Sequence, residues 1–424
     1  MSVKIINSVF GFILCIKSKI SLFSRYYRYN LGNRNPLYVV ILVLIPTILY
    51  CNPIVHKPDK TKQKLAAIDN KLYIISSING GQFTEYSKTA SIDDNIKITI
   101  VLYKSNGSRI IPYSFVYDFC DYGIKQAEIR FSPEIDSLID KSMMNSSLNG
   151  LGHCTIKWYK VEEANGEHYS NTYPSWHWEK IPYKETEVIE WRNNFIVPAD
   201  VTPTVFGPVY CNGDVVGTMR FKAILTINDE SISTPGNEST YKGSINQDVH
   251  RISSKGNTNN EVINYGLAMC NLPYIWGSES FTGSKWDKHQ AELFIGADCA
   301  DFVVAAHQMA GKQLPYDSIK DLSYTKIIAV QCSEENGNYL DEQNSKIRIG
   351  NEGINIGDII YWGEAHVGLL YADKSDPQGE YSGHADGIFN QWDLVLHTLF
   401  AEPKIESIQD IPKYGKLKVY RYKE

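Results

Sequence analysis

"GDIIYWGEAHVGLLY" (357–371) holds two apolar runs rich in β-branched and aromatic residues, joined by the short "WGEA" connection. That pattern predicts a hairpin. Side chains alternate across a strand, so His366, Gly368 and Leu370 share one face and Val367, Leu369 and Tyr371 the other. An imidazole followed two residues later by a glycine predicts room for a helix N-terminus to approach that face. Downstream, "DLVLHTLF" (393–400) and "KLKVYRY" (416–422) predict further strands. His397 shares a face there with Val395 and Leu399, placed to hold one ring nitrogen of His366 and fix its tautomer.

Upstream, "ADCADFVVAAHQMAG" (297–311) carries Phe302, Val303, Ala306, Met309 and Ala310 on one side of a predicted helix, with Gly311 as its C-cap signal. Cys299 falls in the first turn, three residues before Phe302, so its thiol faces inward. The unpaired N–H groups and the positive dipole end of a helix favour a thiolate there. "NEVINYGLAMCNL" (260–272) predicts another helix. Helices followed by antiparallel strands predict an α+β domain over 260–424. His289 and His307 are expected on the surface, and no Cys/His/Asp spacing around them suggests a metal site. The eight cysteines contain no CxxC pair. Three fall in the middle region (Cys120, Cys154, Cys211) and three in the last third (Cys270, Cys299, Cys332), so local bridges leave at least one thiol free.

Before this domain the pattern changes. Residues 66–228 carry strand-like runs such as "IKITIVLYK" (96–104), "CTIKWYKV" (154–161) and "VVGTMRFKAILTI" (215–227), separated by Gly, Pro and Asn clusters. They predict an all-β, sandwich-like accessory domain. Residues 229–259 are polar and rich in Ser, Gly and Asn, the composition of a linker. At the other end, no acidic residue precedes Asp59, and the basic segment 1–34 leads into "NPLYVVILVLIPTILYCNPIV" (35–55). As a helix that uncharged stretch would span roughly 30 Å, the thickness of a bilayer core. It predicts a transmembrane signal anchor with the N-terminus inside and the body outside, a cleaved signal being the alternative. The formal charge of −6 gives no basic surface for phosphates, which disfavours nucleic acid as a partner.

Taken together, "LPYIWGS" (272–278), "GADCADFV" (296–303), the hairpin and "LVLHTLF" (394–400) resemble the NlpC-type cell-wall cysteine peptidases. The family pattern runs Tyr-x-Trp-Gly-Gly, Asp-Cys-Ser-Gly-Phe-Val, Gly-Asp, His-Val-Gly and then a polar third residue, often His. The resemblance covers roughly residues 260–400. It implies a papain-like α+β fold and cleavage of bacterial peptidoglycan stem peptides. It further implies Cys299 as nucleophile, His366 as base and His397 as orienting residue, with Tyr274 beside the thiol and Asp298 supporting the site. The chain departs from the pattern in places. Ala300-Asp301 replaces Ser-Gly, so Asp301 brings a carboxylate within one turn of the thiol, either to recognise a substrate amine or to oppose the thiolate. Ser278 replaces the second glycine. An insertion over 373–388 supplies His384 as an alternative third residue.

These readings converge on a membrane-anchored, extracytoplasmic cysteine hydrolase that cleaves amide or peptide bonds through an acyl-enzyme, with no cofactor and no metal. An acyltransferase using the same acyl-enzyme differs only in its acceptor. A surface binding module with an inactive catalytic domain is the reading from another class.

Overall fold

The β-branched and aromatic runs of the first half pair into two large sheets. The computed structural model describes residues 69–116, 129–143, 146–172, 177–278, 288–316, 327–350, 353–363, 365–375 and 384–422. Within them, β1 (Lys71–Ile78) runs antiparallel to β2 (Ile96–Asn106), with Ile74 opposite Ile100, inside a six-stranded sheet. A second, seven-stranded sheet takes in Lys88–Ser91 and then β3 (Cys154–Glu163). The chain leaves it for β4 (His168–Thr172), returns at Tyr183–Glu187, and adds β5 (Asp214–Ile227) and β6 (Arg251–Lys255) among its later strands. Trp158, Met219, Phe221 and Ile252 of the second sheet share one buried cluster with Ile74, Ile98, Ile100 and Leu102 of the first. The two sheets thus pack face to face on their apolar positions.

Residues 229–259, expected as a linker, are built into this layer. β6 pairs antiparallel with β5, Ser253 opposite Thr218, and parallel with Lys88–Ser91. Its composition misleads because Ser253 and Ser254 are buried without being apolar. Ser253 Oγ lies 2.7 Å from Thr218 Oγ1, so the polar groups pair with each other inside the fold.

The papain-like, NlpC-type α+β fold expected of 260–424 is corrected as well. Strand far outweighs helix among the described residues, and the sheets mix parallel with antiparallel pairs. Among the described residues there, two helices exceed one turn, α1 (Glu261–Ala268) and α2 (Cys299–Met309). Between them β7 (Tyr274–Trp276) pairs parallel with β4 of the first half, Tyr274 opposite His168. The last strands form an antiparallel sheet that includes β8 (Ile359–Trp362), β9 (His366–Ala372), β10 (Leu394–His397), β11 (Lys404–Ser407) and β12 (Leu417–Tyr422). Its order runs Ile327–Gln331, β12, β8, β9, β10, β11.

Residues 64–424 make one compact unit because the two halves share polar and apolar contacts. Thr218 N–H donates to Cys270 O at 2.9 Å and its hydroxyl to Ala268 O at 2.7 Å. Gly217, at φ 122, lets this loop dock: a Cβ there would meet Cys270 O at 2.7 Å. Cys211 and Val216 join the apolar cluster of α1, α2 and the C-terminal sheet. The expected cytoplasmic segment (1–34) and transmembrane anchor (35–55) lie outside the described residues. No helix among the described residues is long and apolar enough to cross a membrane.

Candidate active site

Asp298 starts the site. It caps α2, its Oδ1 accepting N–H bonds from Ala300 and Asp301 at 3.0 and 2.9 Å. Its other oxygen accepts from Gly277 N–H at 3.0 Å, which ties the end of β7 to the start of the helix. Burial and the neighbouring Asp301 charge push the Asp298 carboxyl up to about 7 against those three bonds. Cys299 follows directly, 3% exposed. Burial, then the Asp298 charge, raise its thiol well above the ordinary range, while the backbone amides of Val367 and Ala300 act on the sulfur in the opposite sense. The helix start alone therefore does not make a thiolate here. The thiol rests neutral beside the peptide that joins His366 to Val367.

α2 approaches β9 on the face opposite to the one expected. Val367 and Leu369 share the cluster of Cys299 and Phe302, whereas Trp362, Leu370 and Val395 belong to the cluster on the other side of the sheet. Gly368 makes room for a strand rather than for the helix. A Cβ there would come 2.6 Å from Val395 Cγ1 and 2.8 Å from His397 Cβ. The glycine thereby admits His397 to the flank of His366.

The two imidazoles are joined. His366 Nε2 and His397 Nδ1 lie 3.0 Å apart, and His397 Nε2 lies 3.1 Å from Glu406 Oε2 on β11. Glu406 is held down at about 2, chiefly by its bond to His397 and then by Lys404, whose ammonium sits 2.7 Å from its other oxygen. Burial lowers both histidines, His366 to about 3. These states set every proton in the row. The ionised carboxylate can only accept, so His397 carries its hydrogen on Nε2 and offers Nδ1 as an acceptor. His366 must then donate from Nε2, which leaves a lone pair on its Nδ1. That nitrogen is buried and has no hydrogen-bond partner. The hydroxyl of Tyr274 is likewise buried and without a partner, and the charge at Cys299 is, after burial, the largest influence raising it. Native cores leave few such atoms unpaired.

The remaining expected residues fall as follows. Ser278 donates its hydroxyl to Asp301, and Asp301 lies 3.7 Å from His289 Nδ1. His289 is buried and stacks on Tyr316 at 3.5 Å, and His307 is buried with Nδ1 2.8 Å from Val303 O, so neither is the surface residue expected. His384 is exposed, and His397 holds the place next to His366. Cys154, Cys211, Cys270, Cys299 and Cys332 are all free thiols. Among the described residues no group of three or more His, Cys, Asp or Glu gathers to hold a metal ion. Sequence reasoning missed Glu406 and the Val367 amide. Glu406 had one legible signal: it lies two residues into the strand after "LVLHTLF", where antiparallel pairing sets Lys404 opposite His397 and Glu406 opposite Val395, diagonal to the histidine.

Comparison with protein-family models, with curated proteins and with solved structures finds no match to this chain.

Proposed function

We propose that this chain is a cysteine hydrolase acting on amide or peptide bonds. The observation that carries the reading is the row Glu406–His397–His366, which leaves a lone pair on His366 Nδ1 on the strand whose next amide acts on the Cys299 sulfur. His366 stacks on Trp362, on the sheet face away from α2, so in the proposed cycle its imidazole turns about the start of β9 to take the thiol proton on Nδ1 as sulfur attacks the carbonyl carbon, and Tyr274 offers its hydroxyl hydrogen to the developing oxyanion. Collapse breaks the C–N bond, and the imidazolium gives its proton to the leaving amine. Water, deprotonated by His366, then hydrolyses the thioester and restores the thiol. His397 and Glu406 orient and polarise without touching substrate. Because burial keeps thiol and imidazole neutral at rest, the proton moves during attack rather than before it.

The motif resemblance supports peptidoglycan stem peptides as the substrate, and the basic segment ahead of an uncharged stretch supports an extracytoplasmic, membrane-tethered location. The neutral, buried thiol is the observation favouring the rival reading, a binding module without catalysis. Incubating the full chain with purified peptidoglycan and weighing the released peptides decides between them. Release is expected, abolished by Cys299→Ser and reduced by about 10²–10⁴-fold in His366→Ala. Release that survives Cys299→Ser, or no release from any peptide substrate, would sink the reading.

A further inference from the structure

Large exposed apolar side chains are not scattered evenly over this molecule. Phe400 (46% exposed) stands beside the buried ring of Tyr274 and stacks on Trp276 (54% exposed). Phe400 lies 5.4 Å from Tyr274 and 6.4 Å from Trp276, whose ring it faces at only 10°. The His168 ring stands edge-on to Phe400 at 5.4 Å. The carbonyl of Tyr414 (40% exposed) packs against Gly363, the turn just before His366. Tyr274 bridges to Ala297, two residues before Cys299, and Gly277, next to Trp276, donates its N–H to Asp298, next to Cys299, at 3.0 Å. The rings of Trp276 and Phe400 thus stand on the strand end that is tied to the start of the thiol's helix.

Phe400 is also held at φ 53, a conformation in which a bulky side chain is strained. The chain keeps a phenylalanine, exposed, at a position that glycine would fill at lower conformational energy. Clustered exposed aromatics in a soluble fold mark a recognition surface, because water gains little from leaving them uncovered.

Building on the hydrolase reading, we infer that Trp276, Phe400 and Tyr414 form an aromatic rim that receives a ring-bearing or bulky apolar group beside the bond to be cut. The substrate class this names is an amide whose acyl or amine side carries such a group, rather than one flanked by small or charged side chains. The first half of the chain takes part, since β4 supplies His168 and pairs with the strand carrying Trp276.

The test compares two alkylating reagents at Cys299 in the full chain, read by peptide mass after digestion: N-benzyl chloroacetamide and chloroacetamide. The rate ratio, benzyl over parent, should exceed the same ratio measured for glutathione by about tenfold, the value of one good ring contact. Phe400→Gly suits the backbone at φ 53 and removes only the ring, so it should bring the ratio down towards that of glutathione, as should Trp276→Ala. Tyr86→Ala, an exposed aromatic outside the rim, should keep it high. A wild-type ratio equal to that of glutathione, or one that neither rim variant lowers, overturns the rim while leaving the hydrolase reading intact. Failure of Cys299 to react with either reagent faster than in urea-unfolded chain overturns both.

Discussion

Glu406 decides the tautomer of an imidazole it does not touch. Its charge fixes the hydrogen on His397 Nε2, and that choice passes through one more bond to the free lone pair of His366. Removing the charge while keeping the shape should therefore show at a distance. In Glu406→Gln the amide can donate or accept, so His397 can present its hydrogen on Nδ1 and force His366 into the wrong tautomer. Turnover is expected to fall on the order of 10- to 100-fold, as for outer partners that orient a functional imidazole, with the substrate KM nearly unchanged. A rise in KM with kcat intact would mean that Glu406 belongs to substrate binding instead.

At the scale of elements, the geometry depends on two strands coming unusually close. Gly368 lets β10 place His397 against β9, and any side chain there meets Val395 and His397. Gly368→Ala should cost about 1–3 kcal/mol through overpacking and lengthen the bond between the imidazoles. Activity should fall further than stability alone explains, measured at a temperature where the variant remains folded by circular dichroism. Full activity in a destabilised Gly368→Ala would show that the histidine row tolerates the shift. The histidine pairing was legible because His366 and His397 each sat in a strong strand pattern. The face of approach was not. Alternation names the two faces of a strand, but which one a helix covers depends on the summed apolar area of neighbouring strands. Ile359, Tyr361 and Leu396 tip that balance towards Val367 and Leu369.

For the molecule as a whole, the shared seam predicts one cooperative unit where a two-domain chain with a linker was expected. Calorimetry of residues 64–424 should show a single unfolding transition. Its pH dependence follows from buried groups with opposite signs. His250, His307 and His366 are depressed to about 3, 4 and 3 from 6.5, so their contribution is present above 6.5 and is lost as pH falls towards those values. Asp298 and Asp393 are raised to about 7 and 8 from 3.8, so theirs is present below 3.8 and is lost as pH rises through those values. Between about 4 and 6.5 three histidines outweigh two carboxyls, and above 6.5 only the carboxyls act. Stability should peak near pH 6.5, and two separated transitions or a peak above pH 8 would contradict this account. The strand runs of the first half were readable from their β-branched periodicity. The seam was not, because Thr218, Ser253 and the 268–271 loop join through polar groups that hydrophobic patterning cannot register. β12 lies between Ile327–Gln331 and β8, so the sheet holding His366 is completed by residues 417–422. A ribosome releases that strand after every other described one, so the hairpin carrying His366 gains its inner neighbour long after Cys299 has been made.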